Sequence, residues 1–162
     1  MNAAADAIGI RDAGPADLDF IVEANAAMAS ETEHRTLDRD VLRRGVAAVF
    51  ADPQRGFYLV AERGANAVGC LLVTREWSDW RDGDWWWLQS VYVVPVARRN
   101  GVFRALHAEV ARRAQTTAGV VGLRLYVERD NRAAQATYAA LGLGETHYRL
   151  LEKEGGFDGA PA

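Results

Sequence analysis

The residues best equipped for chemistry lie in Val93-Val94-Pro95-Val96-Ala97-Arg98-Arg99-Asn100-Gly101-Val102-Phe103-Arg104, where an apolar strand passes through an arginine-rich turn into an amphipathic helix. A helix start leaves several backbone N–H groups without intrahelical acceptors, and the helix dipole adds partial positive charge there. Arg98, Arg99 and Arg104 contribute charge and forked donors, and Gly101 lets the backbone come close to a ligand. Pro95 has no N–H to give a neighbouring strand, so the strand ends cleanly. The arrangement suits a compact diphosphate. Neither G-x-x-x-x-G-K-[ST] nor G-x-G-x-x-G occurs, so it is not a P-loop or a dinucleotide fingerprint.

A chain of 162 residues, 49% hydrophobic and 25% charged, is expected to form one domain over residues 8–152, with 1–7 and 153–162 as flexible termini. The net charge of −3 and a single lysine, Lys153, argue against nucleic acid as a partner. No apolar run approaches membrane-spanning length and Met1–Asp6 lacks the features of an export signal, so a cytoplasmic protein without a membrane partner is expected. Cys70 stands alone in an apolar strand and reads as a small buried hydrophobe. His34, His107 and His147 lack ligand spacing, which supports no metal site.

The elements that must position the turn follow from periodicity. A strand at Ile8–Asp12 precedes a helix opened by Gly14-Pro15-Ala16-Asp17, with Leu18, Ile21, Val22, Ala24 and Met28 at helical spacing. A second helix carries Leu37, Val41, Leu42, Val46, Val49 and Phe50 and stops before Asp52-Pro53. Strands at 56–61 and 67–74 flank a turn at Arg63–Asn66, and a third at Trp85–Val94 follows a loop at 79–84. Val102, Leu106, Val110 and Ala114 form the buried stripe of the central helix. The strand at Val120–Val127 must run parallel to the one before that helix, because a helical crossover joins them. Asn131 caps a last helix that ends at Gly142, residues 147–151 read as a final strand, and the glycine-rich 155–159 should fray. The fold class expected is α/β: a mixed, mostly antiparallel sheet with helices on both faces.

Taken together, Val93, Pro95, Arg98 and Gly101 match V-x-P followed by [RQ]-x-x-G-x-[GA], with Phe103 where Gly or Ala is usual. Asn131, Ala134, Tyr138, Gly142 and Leu143 match N-x-x-A-x-x-x-Y-x-x-x-G-[FL]. In these two motifs the chain resembles the GCN5-related N-acetyltransferase (GNAT) superfamily. The resemblance implies acetyl-CoA as co-substrate, with no metal. It also implies diverging strands at Val93 and Leu123–Glu128, with the pantetheine arm lying between them as a substitute strand. Backbone groups of Val91, Tyr92 and Val93 would face that arm, and the turn from Arg98 through Asn100, Val102 and Phe103 to Arg104 would hold the pyrophosphate. Asn131 and Tyr138 would complete the cofactor site. Phe103 departs from the pattern, but its N–H serves provided the ring points into the core.

The implied reaction transfers acetyl to a primary amine of a small molecule or peptide by direct attack. An alkylammonium of pKa about 10.4 must first lose a proton. Tyr138 falls on the family tyrosine and is the implied proton donor to the leaving thiolate. Gln89 occupies a strand position where many relatives carry an acid. It cannot keep a proton, but could hold a water, with Glu31, Glu33, Glu76 or Asp84 completing a relay.

Trp77, Trp80, Trp85, Trp86 and Trp87 lie within eleven positions, interleaved with carboxylates. Trp85 and Trp87 share one face and Trp86 takes the other. One set covers the sheet; the other, with Trp77, Trp87, Gln89, Glu31 and Glu33, forms a candidate wall for a cationic acceptor. A competing reading is a non-catalytic acyl-CoA-binding module, fed by Gln89. A third, a basic helix docking on protein or nucleic acid, is opposed by the acidic pI of about 5.6. Exposed strand edges make a homodimer reasonable.

Overall fold

The computed structural model describes residues 7–153 and 155. They fall into two compact units, one running to Glu128 and the other beginning at Arg129.

The first unit is built on five strands: β1 (Ile8–Asp12), β2 (Phe57–Arg63), β3 (Asn66–Ser78), β4 (Gly83–Val93) and β5 (Val120–Leu125). They lie side by side in chain order. The first four pair antiparallel, and β5 runs parallel to β4. The parallel step requires a crossover, supplied by α3 (Val102–Thr116). Helices α1 (Leu18–Glu33) and α2 (Arg39–Ala51) connect β1 to β2. Alternation along the strands sends apolar side chains to both faces, and each face has its own core. Leu59, Leu71, Val73, Trp86 and Leu88 pack with Val102, Leu106 and Val110 of α3. Tyr58, Val60, Cys70 and Tyr92 pack with Ile21 and Val22 of α1 and Val46 of α2. Helices therefore cover both faces, as the sequence implied.

The β3–β4 hairpin is longer than the expected strands at 67–74 and 85–94. Pairing continues outward through Trp77 opposite Asp84 and Ser78 opposite Gly83, leaving only residues 79–82 as the turn. Strand β5 stops at Leu125, short of the expected Val127.

The second unit contains α4 (Arg132–Ala140), capped as expected by Asn131, whose Oδ1 accepts from Ala134 N–H at 3.0 Å. Gly142, at φ 86°, closes the helix in the left-handed region. The expected final strand at 147–151 is not formed. Tyr148, Leu150 and Leu151 stay exposed, and an alternating apolar run becomes a strand only by pairing. The expectations for 1–6 and 156–159 lie outside the described residues.

Candidate active site

The central event in β4 is one inserted residue. Leu72 opposes Gln89 and Cys70 opposes Tyr92, so Ser90 and Val91 together face the single residue Leu71. Ser90 takes a left-handed φ of 49° to absorb the insertion, which makes this a β-bulge. The bulge resets the alternation. Trp86 and Leu88 pack on the α3 side and so do Val91 and Val93, whereas Tyr92 joins the α1–α2 side.

Pairing with β5 ends at the same place, since its last partner on β4 is Leu88. Among the described residues, β4 past the bulge is paired on its β3 side alone. Val94 N–H donates to Val68 O at 3.0 Å, and strand alternation therefore turns the N–H and C=O of Val91 and Val93 toward the open edge. The Val93 carbonyl accepts from Arg98 Nε at 2.9 Å, which leaves its second lone pair and the Val93 N–H for a ligand.

The turn beyond this edge is a single 3-10 turn at Pro95–Ala97 followed by two left-handed residues, Arg99 at φ 63° and Gly101 at φ 80°. This backbone path starts α3 abruptly. Ala105 N–H is the first to reach back along the helix, to Gly101 O at 3.0 Å, so the N–H groups of Val102 and Arg104 have no intrahelical acceptor. Arg99, Asn100 and Arg104 are exposed around them. Phe103 is half-buried against the α3-side core, with its ring 6.1 Å from that of His107.

Arg98 behaves differently from the other two arginines. Its Nη2 bonds Glu31 Oε2 at 2.6 Å and its guanidinium lies 5.4 Å from the Tyr92 ring centroid. Tyr92 Oη donates to Glu31 Oε1 at 3.1 Å. Burial, and next the bonded Glu31 carboxylate, push the Tyr92 phenol above its ordinary pKa. Glu31 was expected to face an amine and Arg98 a phosphate; the structure pairs them with each other. Glu33, at the end of α1, is exposed and sits 3.8 Å from Arg35, and no contact among the described residues ties it to Gln89.

On the α1–α2 side of the sheet, beyond the helices, Trp87 stacks on Tyr126 with ring centroids 4.4 Å apart and planes inclined 29°. Its Nε1–H donates to Glu76, which also accepts from Arg124 at 3.1 Å. Arg124 in turn lies 4.0 Å from the Trp85 ring centroid. Gln89 donates from Nε2 to Thr74 Oγ1. By register Trp85, Trp87, Gln89 and Glu76 share a face. Trp77 alternates to the other face, and Trp80 is 87% exposed. Trp86 is core, edge-on to Phe57 at 5.3 Å.

In the second unit Tyr138 is half-buried, and burial raises its phenol pKa. Asn131 spends its side-chain oxygen on the helix cap.

Sequence reasoning missed Asn25. It is only 4% exposed within the apolar face of α1. Its helical spacing to Ile21 and Met28 was the available signal.

The chain is similar to a possible acetyltransferase from Clostridium difficile 630, with 41% identity, coverage of 93% of this chain and 99% of that one, and a TM-score of 0.86. It has the fold of a predicted acetyltransferase from Clostridium acetobutylicum solved with acetyl-CoA (14% identity, 91% and 96% coverage, TM-score 0.74). The same holds for the aminoglycoside N-acetyltransferase AAC(6')-Iy in complex with a bisubstrate analogue (18% identity, 92% and 99% coverage, TM-score 0.73). No curated protein matches the chain. The Acetyltransferase (GNAT) family model matches residues 19–143, and the chain belongs to that family.

Proposed function

We propose that the protein is an N-acetyltransferase that moves acetyl from acetyl-CoA to a primary amine by direct attack in a ternary complex. The observation that carries this reading is the open β4 edge at Val91 and Val93, lying just ahead of the N–H groups at the start of α3. A strand edge suits the two amides of a pantetheine arm, and a helix start flanked by Arg99 and Arg104 suits a diphosphate. A single catalytic domain over 8–152 is part of the proposal, and the family match crosses the boundary between the two units.

In this reading the neutral amine attacks the thioester carbonyl carbon, the C–N bond forms and the C–S bond breaks. Tyr138, assigned from the motif it matches, returns a proton to the leaving sulfur. Its raised pKa keeps the phenol protonated and able to donate at neutral pH. Gln89, anchored through Thr74, orients a water that relays the proton lost by the amine. The stacked Trp87–Tyr126 pair, with Glu76, borders the acceptor side.

The test is calorimetric titration with acetyl-CoA and CoA, followed by thiol release over an amine panel for wild type and Tyr138→Phe. Binding with turnover that falls about 100-fold in the variant, at unchanged CoA affinity, is expected. Binding without turnover on any amine would replace the enzyme with an acyl-CoA-binding module, and absence of binding would remove the proposal.

A further inference from the structure

Between α1, α2 and the sheet lies a cavity of about 390 Å³, within the size range of small-molecule sites. Its walls are apolar, formed by Met28, Val41, Leu42 and Leu72 among others, and its polar lining consists of Asn25, Tyr58 and Ser90. These three are linked. Asn25 Nδ2 lies 3.5 Å from Tyr58 Oη, which also bonds Ser90. The chain of polar groups therefore runs from α1 to the β4 bulge, next to the open edge at Val91. Asn25 Oδ1 is buried and has no partner among the described residues. A buried carbonyl oxygen without a donor is costly, and a ligand N–H would relieve it. Among the described residues no Asp, Glu, Lys or Arg lines the cavity, so a second ammonium on the ligand would meet no counter-charge there.

We propose, resting on the acetyltransferase reading, that this cavity receives the acceptor and selects an apolar primary monoamine, alkyl or aryl, whose N–H donates to Asn25 Oδ1. Its body lies against Met28, Val41, Leu42 and Leu72, and its nitrogen sits at the bulge end. Transfer then yields the N-acetyl amide and CoA thiol, and an amine that arrives as ammonium releases one proton to solvent. A polyamine or an aminoglycoside is disfavoured by the same lining.

Gly45 of α2 also lines the cavity, and a Cβ built there meets nothing within 4 Å. Gly45→Leu therefore fills the cavity from a helix position that tolerates a side chain, while Asn25→Leu removes the acceptor. The experiment titrates the full chain calorimetrically with phenethylamine and with spermidine, with and without CoA, and runs CoA alone in parallel. Phenethylamine should bind at least tenfold more tightly than spermidine. Each substitution should weaken it at least tenfold with the CoA isotherm unchanged. Tighter spermidine binding, no phenethylamine binding, or phenethylamine binding indifferent to Gly45→Leu would overturn the cavity assignment and leave the acetyltransferase reading standing. Gly45-sensitive phenethylamine binding by a chain that takes no CoA would do the opposite, keeping the cavity as an amine site and removing the enzyme.

Discussion

The carboxylate of Glu31 in α1 and the guanidinium of Arg98 in the anion-binding turn meet at 2.6 Å across 67 positions of sequence. This ion pair couples the helix that walls the proposed acceptor cavity to the turn proposed to hold the diphosphate. Both partners are more than a third exposed, so solvent screening limits the contribution to about 0.2–1 kcal/mol. Glu31→Gln and Arg98→Ala should each weaken acetyl-CoA binding by no more than about fivefold. The double variant should cost less than the sum of the two, because they break one shared contact. Titration of the three variants checks this; additive losses would show that Arg98 reaches the ligand independently.

Gly101 starts α3 at φ 80°, and a Cβ there would meet open space. The expected penalty of Gly101→Ala is thus backbone strain alone, about 1–2 kcal/mol. Urea midpoints should fall for Gly101→Ala and fall less for Gly101→Asn, since Asn tolerates the left-handed region better. Acetyl-CoA affinity should drop in parallel, because the same φ aims the N–H groups of the helix start.

Cys70 is fully buried, and burial pushes its thiol up to about 12. A thiol held protonated cannot act as an acetyl carrier. Iodoacetamide at pH 8 should leave native activity intact and label Cys70 only after unfolding, as mass spectrometry would show. Stoichiometric labelling of the folded protein with loss of activity would contradict direct transfer to the amine.

Stability should fall in two stages on acidification. Burial lowers the pKa of His107, so the folded state binds fewer protons than the unfolded state. That loss begins as pH drops through about 6.5, the unfolded value, and stops at the lower folded one. Asp17 is held below the ordinary carboxylate range by its Arg11 hydrogen bonds, at 2.7 Å to each oxygen. Its contribution is complete above about 3.9 and is lost as pH falls through the folded value. Denaturant midpoints from pH 8 to 3 should show both stages. His107→Gln should remove the upper one, and Asp17→Asn, costing about 1–3 kcal/mol at pH 7, should diminish the lower one, to which Glu109, held down at about 2 by its Arg112 and Arg113 hydrogen bonds, also contributes.

Most of the frame was legible because it rests on local rules. The Val102, Leu106, Val110 stripe, the Asn131 cap and the parallel step after a crossover are each dictated by a few neighbouring residues, and each stands as read. The final strand at 147–151 failed for the converse reason: its pattern was right, but a strand needs a partner that pattern cannot supply.

At the site the division is sharper. Spacing alone determined a basic helix start with a glycine where the chain must turn left-handed, and the resemblance of two motifs to a known family pointed to an acetyltransferase. Tertiary structure decided which of those groups remain available to a ligand. Arg98 is paired with Glu31, Trp77 is sent to the opposite face from Trp87, and an inserted residue at Ser90 frees the edge at Val91 and Val93. It also left Asn25 with an unpaired oxygen beside an apolar cavity. These outcomes depend on register and on contacts between residues far apart in the chain, and periodicity carries no information about either.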